Sequence, residues 1–243
     1  MKILPVLGNQ EGVREYWAEM QNYNIEVDEK NPEYIVILGG DGTFLGAERD
    51  YFHLGVPFVG VGFGHVNFLL NRSLRSPKQF VEKLERNEWI KFPIFEMKAE
   101  IVTKTGVKHG VAFNDIYLKS LNPAGVVRLE LQTKEYDCLK VEGDGIIVAT
   151  PQGSTAYNRN AGGTILPLGS TLWCLTGICT QKRLRVTVAQ QNISIEVKSK
   201  DAVLVTDNKI FHEVERVTIM PSNRQSVICF DKGENFEQRR YEI

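Results

Sequence analysis

The chain lacks the features that would tie it to a membrane, a nucleic acid or an oxidising compartment. Among its 243 residues, 29 Lys and Arg nearly balance 30 Asp and Glu, leaving a formal net charge of −1. No basic surface of the kind that nucleic acid or anionic lipid needs is therefore expected. No apolar run approaches the roughly 20 residues of a membrane-spanning helix. The opening MKILPVLGNQEGVREYW soon turns polar and has no small-residue cleavage site, so no signal peptide is expected. The cysteines, Cys138, Cys174, Cys179 and Cys229, form no Cys-x-x-Cys pair. Neither a zinc site nor a disulfide framework is indicated, and a reducing cytoplasm is the expected location. Internal repeats and low-complexity linkers are missing as well.

What is present is glycine in two informative places. Gly39-Gly40-Asp41-Gly42-Thr43 follows the apolar run Tyr34-Ile35-Val36-Ile37-Leu38 and precedes a segment with helical character. This sets a carboxylate on a bare turn at the carboxyl end of a buried strand, where ligands gather in open α/β sheets. Glycines let main-chain N–H groups approach a polyphosphate without side chains in the way. The aspartate can take a proton from a hydroxyl or organise a metal ion. Later, residues 143–163 read GDGIIVATPQGSTAYNRNAGG, with many hydroxyl and amide groups around sharp turns beside the apolar Ile146-Ile147-Val148.

Together these segments resemble the NAD kinase family, which shares a GGDGT turn and a later DGxxxSTPTGSTAYxxSxGG segment. Two further stretches keep the family's order. Gly60-Val61-Gly62-Phe63-Gly64-His65-Val66-Asn67-Phe68-Leu69 is similar to GIN.G.LGFL, and Asn114-Asp115 stands where the family has Asn-Glu. The resemblance implies transfer of a phosphoryl group from ATP or inorganic polyphosphate to the adenosine ribose 2′-hydroxyl of NAD, making NADP. It implies Asp41 as general base and Gly39, Gly40, Gly42 and Thr43 around the phosphates. Magnesium or another divalent cation would be carried by the phosphates, with no fixed protein ligands beyond a role for Asp41. The implied dinucleotide-binding residues are Asp41, Phe63, Asn114, Asp115, Asp144, Thr155, Ala156, Tyr157, Asn160 and Asp207. Homo-oligomers, dimers or tetramers, are also implied. Ala149, Gln152 and Asn160 depart from the family's serine, threonine and serine, and Asp115 is one methylene shorter than glutamate. Two alternatives share part of the pattern: a lipid-hydroxyl kinase with a GGDGT turn, and a dinucleotide sensor without turnover.

Hydrophobic periodicity divides the chain. Strands at Lys2–Val6, Ile25–Val27, Tyr34–Leu38 and Val56–Val61 alternate with helices through Val13, Trp17 and Met20, through Phe44–Phe52, and from Ser76-Pro77 with Phe80, Val81 and Leu84 inward. This predicts an N-terminal doubly wound α/β domain over 1–93. Short strands then follow at Phe95–Thr103, Val107–Phe113, Ile116–Leu118, Val126–Thr133, Tyr136–Leu139, Gly145–Ala149, Ile193–Val197, Ala202–Thr206, Arg216–Met220 and Val227–Phe230. They predict an all-β, sandwich-like dinucleotide-binding domain over 94–225. The charged tail, 226–243, packs back on the first domain or is solvated.

Overall fold

The computed structural model describes residues 1–207 and 209–241, and within it the chain forms two compact units, Met1–Ile94 with Arg224–Ile243, and Phe95–Asn223.

In the first unit, parallel strands run in the spatial order Glu26–Val27, Lys2–Leu7, Tyr34–Gly39, Phe58–Gly62, with Ile228 and Cys229 of a later strand beside Phe58 and Val59. The central strand Tyr34–Gly39 is buried throughout, so its continuous apolar run is that of a strand covered on both faces. On one face, Val13, Tyr16 and Met20 of helix Val13–Met20 and Phe80, Val81 and Leu84 of helix Pro77–Arg86 pack over Val36, Leu38, Val59 and Val61. On the other, Phe44 and Phe52 meet Phe58 with ring centroids 5.6 and 6.5 Å apart. Helices on both faces of a parallel sheet make the unit doubly wound. Ser76 caps its helix as expected, accepting from the Gln79 N–H at 3.5 Å with Pro77 at the first helical position. Trp17 packs half-buried against this core, and Tyr16 beside it is buried, its hydroxyl donating to the Leu74 carbonyl at 3.0 Å.

The second unit is a sandwich of antiparallel strands. One sheet has the order Arg185–Ala189, Leu172–Ile178, Gly145–Ala149, Asp115–Ser120, Ala202–Thr206, Lys209–Phe211. Leu129, Leu131, Ile193 and Ile195 of the facing strands close the core over its Ile116, Leu118, Ile146, Val148, Trp173, Leu175 and Leu204. Several expectations need correcting. Leu172–Ile178 and Arg185–Ala189 are strands, and no alternation marks the first because Trp173, Cys174 and Leu175 are all buried. The strand expected at Tyr136–Leu139 runs Leu139–Gly143 instead. Thr133 Oγ1 accepts the N–H groups of Glu135 and Tyr136 at 3.1 Å each and holds that stretch in a turn. The two late strands are one, Val214–Asp231. Pro221 lies between the residues that pair with Ile193–Glu196 and those that pair with Phe58–Val59. Among the described residues no helix is long and apolar enough to cross a membrane.

Candidate functional site

Chain order in the parallel sheet reverses between Lys2–Leu7 and Tyr34–Gly39, and ligands of such sheets bind outside the strand ends at that switch point. Here the ends stay in register as they leave the sheet: the Gly8 N–H donates to Leu38 O at 2.8 Å and the Phe63 N–H to Gly39 O at 2.7 Å. A Cβ on Gly39 would lie 2.5 Å from Thr43 Oγ1, so only glycine lets the threonine fold back over the strand end. Thr43 Oγ1 also accepts the Gly40 N–H at 3.4 Å, bracing the turn. Gly42 is exposed, with nothing within 4 Å of where its Cβ would be. The turn is thus tight on its inner side and bare on its outer one.

Asp41 is not on a bare turn, as expected from sequence, but is the first residue of helix Asp41–Tyr51 and half-buried. A carboxylate there is favoured by the helix dipole. Its Oδ2 accepts the Phe68 N–H and its Oδ1 the Leu69 N–H, each at 2.9 Å. Burial raises its pKa above the ordinary carboxylate value, against the opposing pull of those two N–H groups and the cations Arg239 and Arg72. Each oxygen keeps a lone pair beyond the one so used. Asp41 is a fixed carboxylate that takes up a proton more readily than one in water.

Phe63 is half-buried and meets the Tyr16 ring edge-on at 5.4 Å, while His65 is exposed. Sequence reasoning passed over Gln10. Its side chain lies beside Gly8 and Gly40, and its Oε1 is buried without a hydrogen-bond partner among the described residues. A polar residue just past the first strand, at the switch point, was the available signal.

In the second unit, Asn114, Asp115 and Asp207 come together. Asp207, left-handed at φ 48°, accepts the N–H groups of Phe113, Asn114 and Asp115 at 2.7, 3.0 and 3.2 Å. Asp115 is buried, and burial together with the Asp207 charge pushes its pKa up to about 7. The Asn114 Oδ1 is buried with no partner among the described residues. Asp115 and Tyr117 share a face of their strand, and Tyr157 meets Tyr117 edge-on at 5.0 Å. Burial, then the Asp115 charge, raises the pKa of Tyr157, with Asp144 contributing less.

Much of the polar density in 150–163 holds the loop itself. Thr150 Oγ1 donates to Phe113 O at 2.7 Å, and Gln152 Nε2 donates to Phe95 O and Phe113 O at 2.7 and 2.9 Å. Asn158, overlooked in the sequence, is buried, donates to Ser154 O and Thr164 O at 2.9 Å, and accepts from Thr176 Oγ1 at 2.6 Å. A Cβ on Gly153 would lie 2.1 Å from Asn114 O, which keeps this loop against the Asn114 backbone. Thr155, Ala156 and Tyr157 are left half-exposed. Asp144 and Asn160 are exposed, unlike the buried Asp115. Gly145 pairs with Lys119 and Ala149 with Asp115, so Asp144 lies beyond the other end of that strand, roughly 17 Å along it.

The sequence profile of the ATP-NAD kinase N-terminal domain matches residues 4–88, and that of the ATP-NAD kinase C-terminal domain matches residues 113–229. The chain is 33% identical to the NAD kinase of Rickettsia typhi over 219 residues, 86% of this chain and 84% of that one. It is 31% identical to the NAD kinase of Sulfurimonas denitrificans over 186 residues, 75% of this chain and 66% of that one. A crystal structure of an NAD kinase from Archaeoglobus fulgidus in complex with ATP has the same fold, with a TM-score of 0.77, 23% identity and 100% of both chains covered. With both domain profiles matched in order and relatives matched along most of its length, the chain belongs to the ATP-NAD kinase family.

Proposed function

We propose that this chain is an NAD kinase, taking the γ-phosphoryl of ATP to the adenosine ribose 2′-hydroxyl of NAD and releasing NADP and ADP. The observation that carries the residue roles is Asp41: a half-buried carboxylate at the sheet's switch point, clamped by the Phe68 and Leu69 N–H groups and shifted toward higher pKa. As the ribose oxygen bonds to phosphorus and the bond to the departing ADP oxygen breaks, Asp41 takes the hydroxyl proton. A positioned base of this kind is worth about 10²–10⁴-fold. The backbone of Gly39, Gly40 and Gly42 lies against the phosphates, with Thr43 holding the turn. Phosphoryl transfer depends mainly on such positioning and on neutralising charge.

Among the described residues no group of three His, Cys, Asp or Glu is arranged to hold a metal ion. The free lone pairs of Asp41 suit one ligand of a divalent cation that is otherwise held by phosphate oxygens, a common way of binding magnesium. When bound, that cation neutralises charge on the transferring phosphates. In the second unit Asn114, Thr155, Ala156 and Tyr157 receive the dinucleotide, Asp207 fixes the Asn114 backbone, and Asp115, Asp144 and Asn160 complete the contacts there; Phe63 is the dinucleotide-binding candidate of the first unit. The unpartnered Asn114 Oδ1 supports this reading, since a ribose hydroxyl is a donor that would satisfy it. The protein works in the cytoplasm as a homo-oligomer.

The test is NADP formation by the purified chain with ATP and, separately, polyphosphate across a panel of divalent cations. NADP above a no-enzyme control is expected with ATP. NAD binding without NADP from any donor would instead make the chain a sensor. Phosphorylation of diacylglycerol in place of NAD would make it a lipid kinase.

A further inference from the structure

The last helix, Phe236–Tyr241, carries charges that its sequence would leave in water, yet Arg239 and Arg240 are buried. Arg239 Nη1 pairs with Glu234 Oε1 at 3.2 Å, with side-chain exposures of 7% and 5%. Both partners then reach the same loop of their unit. Arg239 donates from Nη1 to Asn67 O at 3.3 Å and from Nη2 to Leu70 O at 3.2 Å. Glu234 Oε2 accepts the N–H groups of Arg72 and Ser73 at 3.1 and 2.9 Å and the Ser73 hydroxyl at 2.6 Å. The carbonyls held by Arg239 bracket Phe68 and Leu69, whose N–H groups grip the Asp41 carboxylate. Asn67 prepares this turn from the other side. It is left-handed at φ 52°, and its Oδ1 accepts the Gly64 N–H at 3.1 Å.

A buried ion pair is poor evidence for stability, because removing both charges from water costs about as much as their attraction returns. What the planar guanidinium does supply is geometry, a fixed fork of donors that two carbonyls can read at once. We propose that Arg239 is a positioning residue for phosphoryl transfer, setting loop Asn67–Leu70 so that its N–H groups hold Asp41 where the substrate hydroxyl must meet it. This rests on the reading of Asp41 as the base. A displacement of about 1 Å at a reacting group can cost on the order of 10²-fold in rate.

The test is Arg239→Met and Arg239→Lys in the full chain, each in the wild-type and the Asp41→Asn background. The readouts are kcat, KM for NAD and ATP, melting temperature and the pH profile of kcat. The charged groups acting on Asp41 are Arg239 and Arg72, besides the two N–H donors. Arg239→Met should lower kcat by about 10- to 100-fold with both KM values within about threefold. Its acid limb should move to higher pH, because a cation that favoured the ionised carboxylate is gone. Arg239→Lys keeps the cation but not the fork. It should leave the acid limb in place while still losing about tenfold in kcat, and it carries the test if Arg239→Met does not fold. In the Asp41→Asn background either change should cost less than about threefold, because the two residues act as a unit. Unchanged kcat in folded variants, or equal losses in both backgrounds, would overturn the proposal while leaving an impaired Asp41→Asn as support for the base. A full-rate Asp41→Asn enzyme would remove the base and this proposal with it.

Discussion

The GGDGT turn of the first unit and the GSTAYNRNAGG loop of the second are both glycine-rich, but they use their polar groups in opposite ways. In the turn the one carboxylate is held by main-chain donors from residues 68 and 69, and Gly42 stays bare on the outer side. In the loop and the residues leading into it the side chains hold the main chain: Thr150, Gln152, Ser154 and Asn158 all bond backbone carbonyls. The first arrangement presents a reactive group. The second presents a shaped surface, left to Thr155, Ala156 and Tyr157. Counting hydroxyls along a loop therefore overstates how many can face a ligand, because each buried polar group must be satisfied before any is free.

This contrast assigns rate to the turn and affinity to the loop, and substitutions can break it. The largest expected effect is that of Asp41→Asn, which keeps size but cannot accept the ribose proton. Its kcat should fall about 10²–10⁴-fold while NAD affinity stays within a few-fold. Added magnesium would partly restore the rate only if Asp41 mainly held the cation, so turnover is measured across a magnesium series.

Next comes Tyr157→Ala, which removes the ring that packs edge-on against Tyr117. NAD binding should weaken by about 1–3 kcal/mol, the usual worth of an aromatic that stacks on a base. The KM for ATP should move less. Parallel loss of melting temperature and of both affinities would make Tyr157 a packing residue.

The smallest effect sharpens the comparison through pH. In the folded chain Asp115 holds its proton up to about 7, against 3.8 for the free group. Between those values the native state binds more protons than the unfolded one, so stability falls as pH rises and levels off above about 7. Asp115→Asn should flatten that decline, raising the melting temperature near pH 8 and changing it little near pH 4. No difference between the two pH values would show that Asp115 ionises normally.

Much of the fold could be read in the residues. The strands Ile193–Val197 and Ala202–Thr206 stand between turn residues with the expected limits, and Ser76-Pro77 announced its helix. Leu172–Ile178 escaped because a strand buried on both faces loses the alternation that betrays one half-buried. The candidate site was legible as a motif and not as a geometry. Asp41 was marked by its glycines, but the donors that grip it come from residues 68 and 69, and the arginine that steadies them is residue 239. Nothing local in GENFEQRRY says that Arg239 and Glu234 are buried as a pair, since the carbonyls and N–H groups that complete their bonding come from residues 67–73. Gln152 looked like a departure from the family's threonine, and the structure accounts for it as a side chain that bonds two carbonyls.

The most direct test of this division is to measure NAD dissociation constants and single-turnover NADP formation for Asp41→Asn and Tyr157→Ala side by side. The account predicts a crossed result. Asp41→Asn binds NAD almost normally and barely turns it over, while Tyr157→Ala binds it weakly and, at saturation, converts it at close to the wild-type rate. If both variants lose binding and rate in the same proportion, the turn and the loop do not divide the work, and the assignment of Asp41 as the base is contradicted.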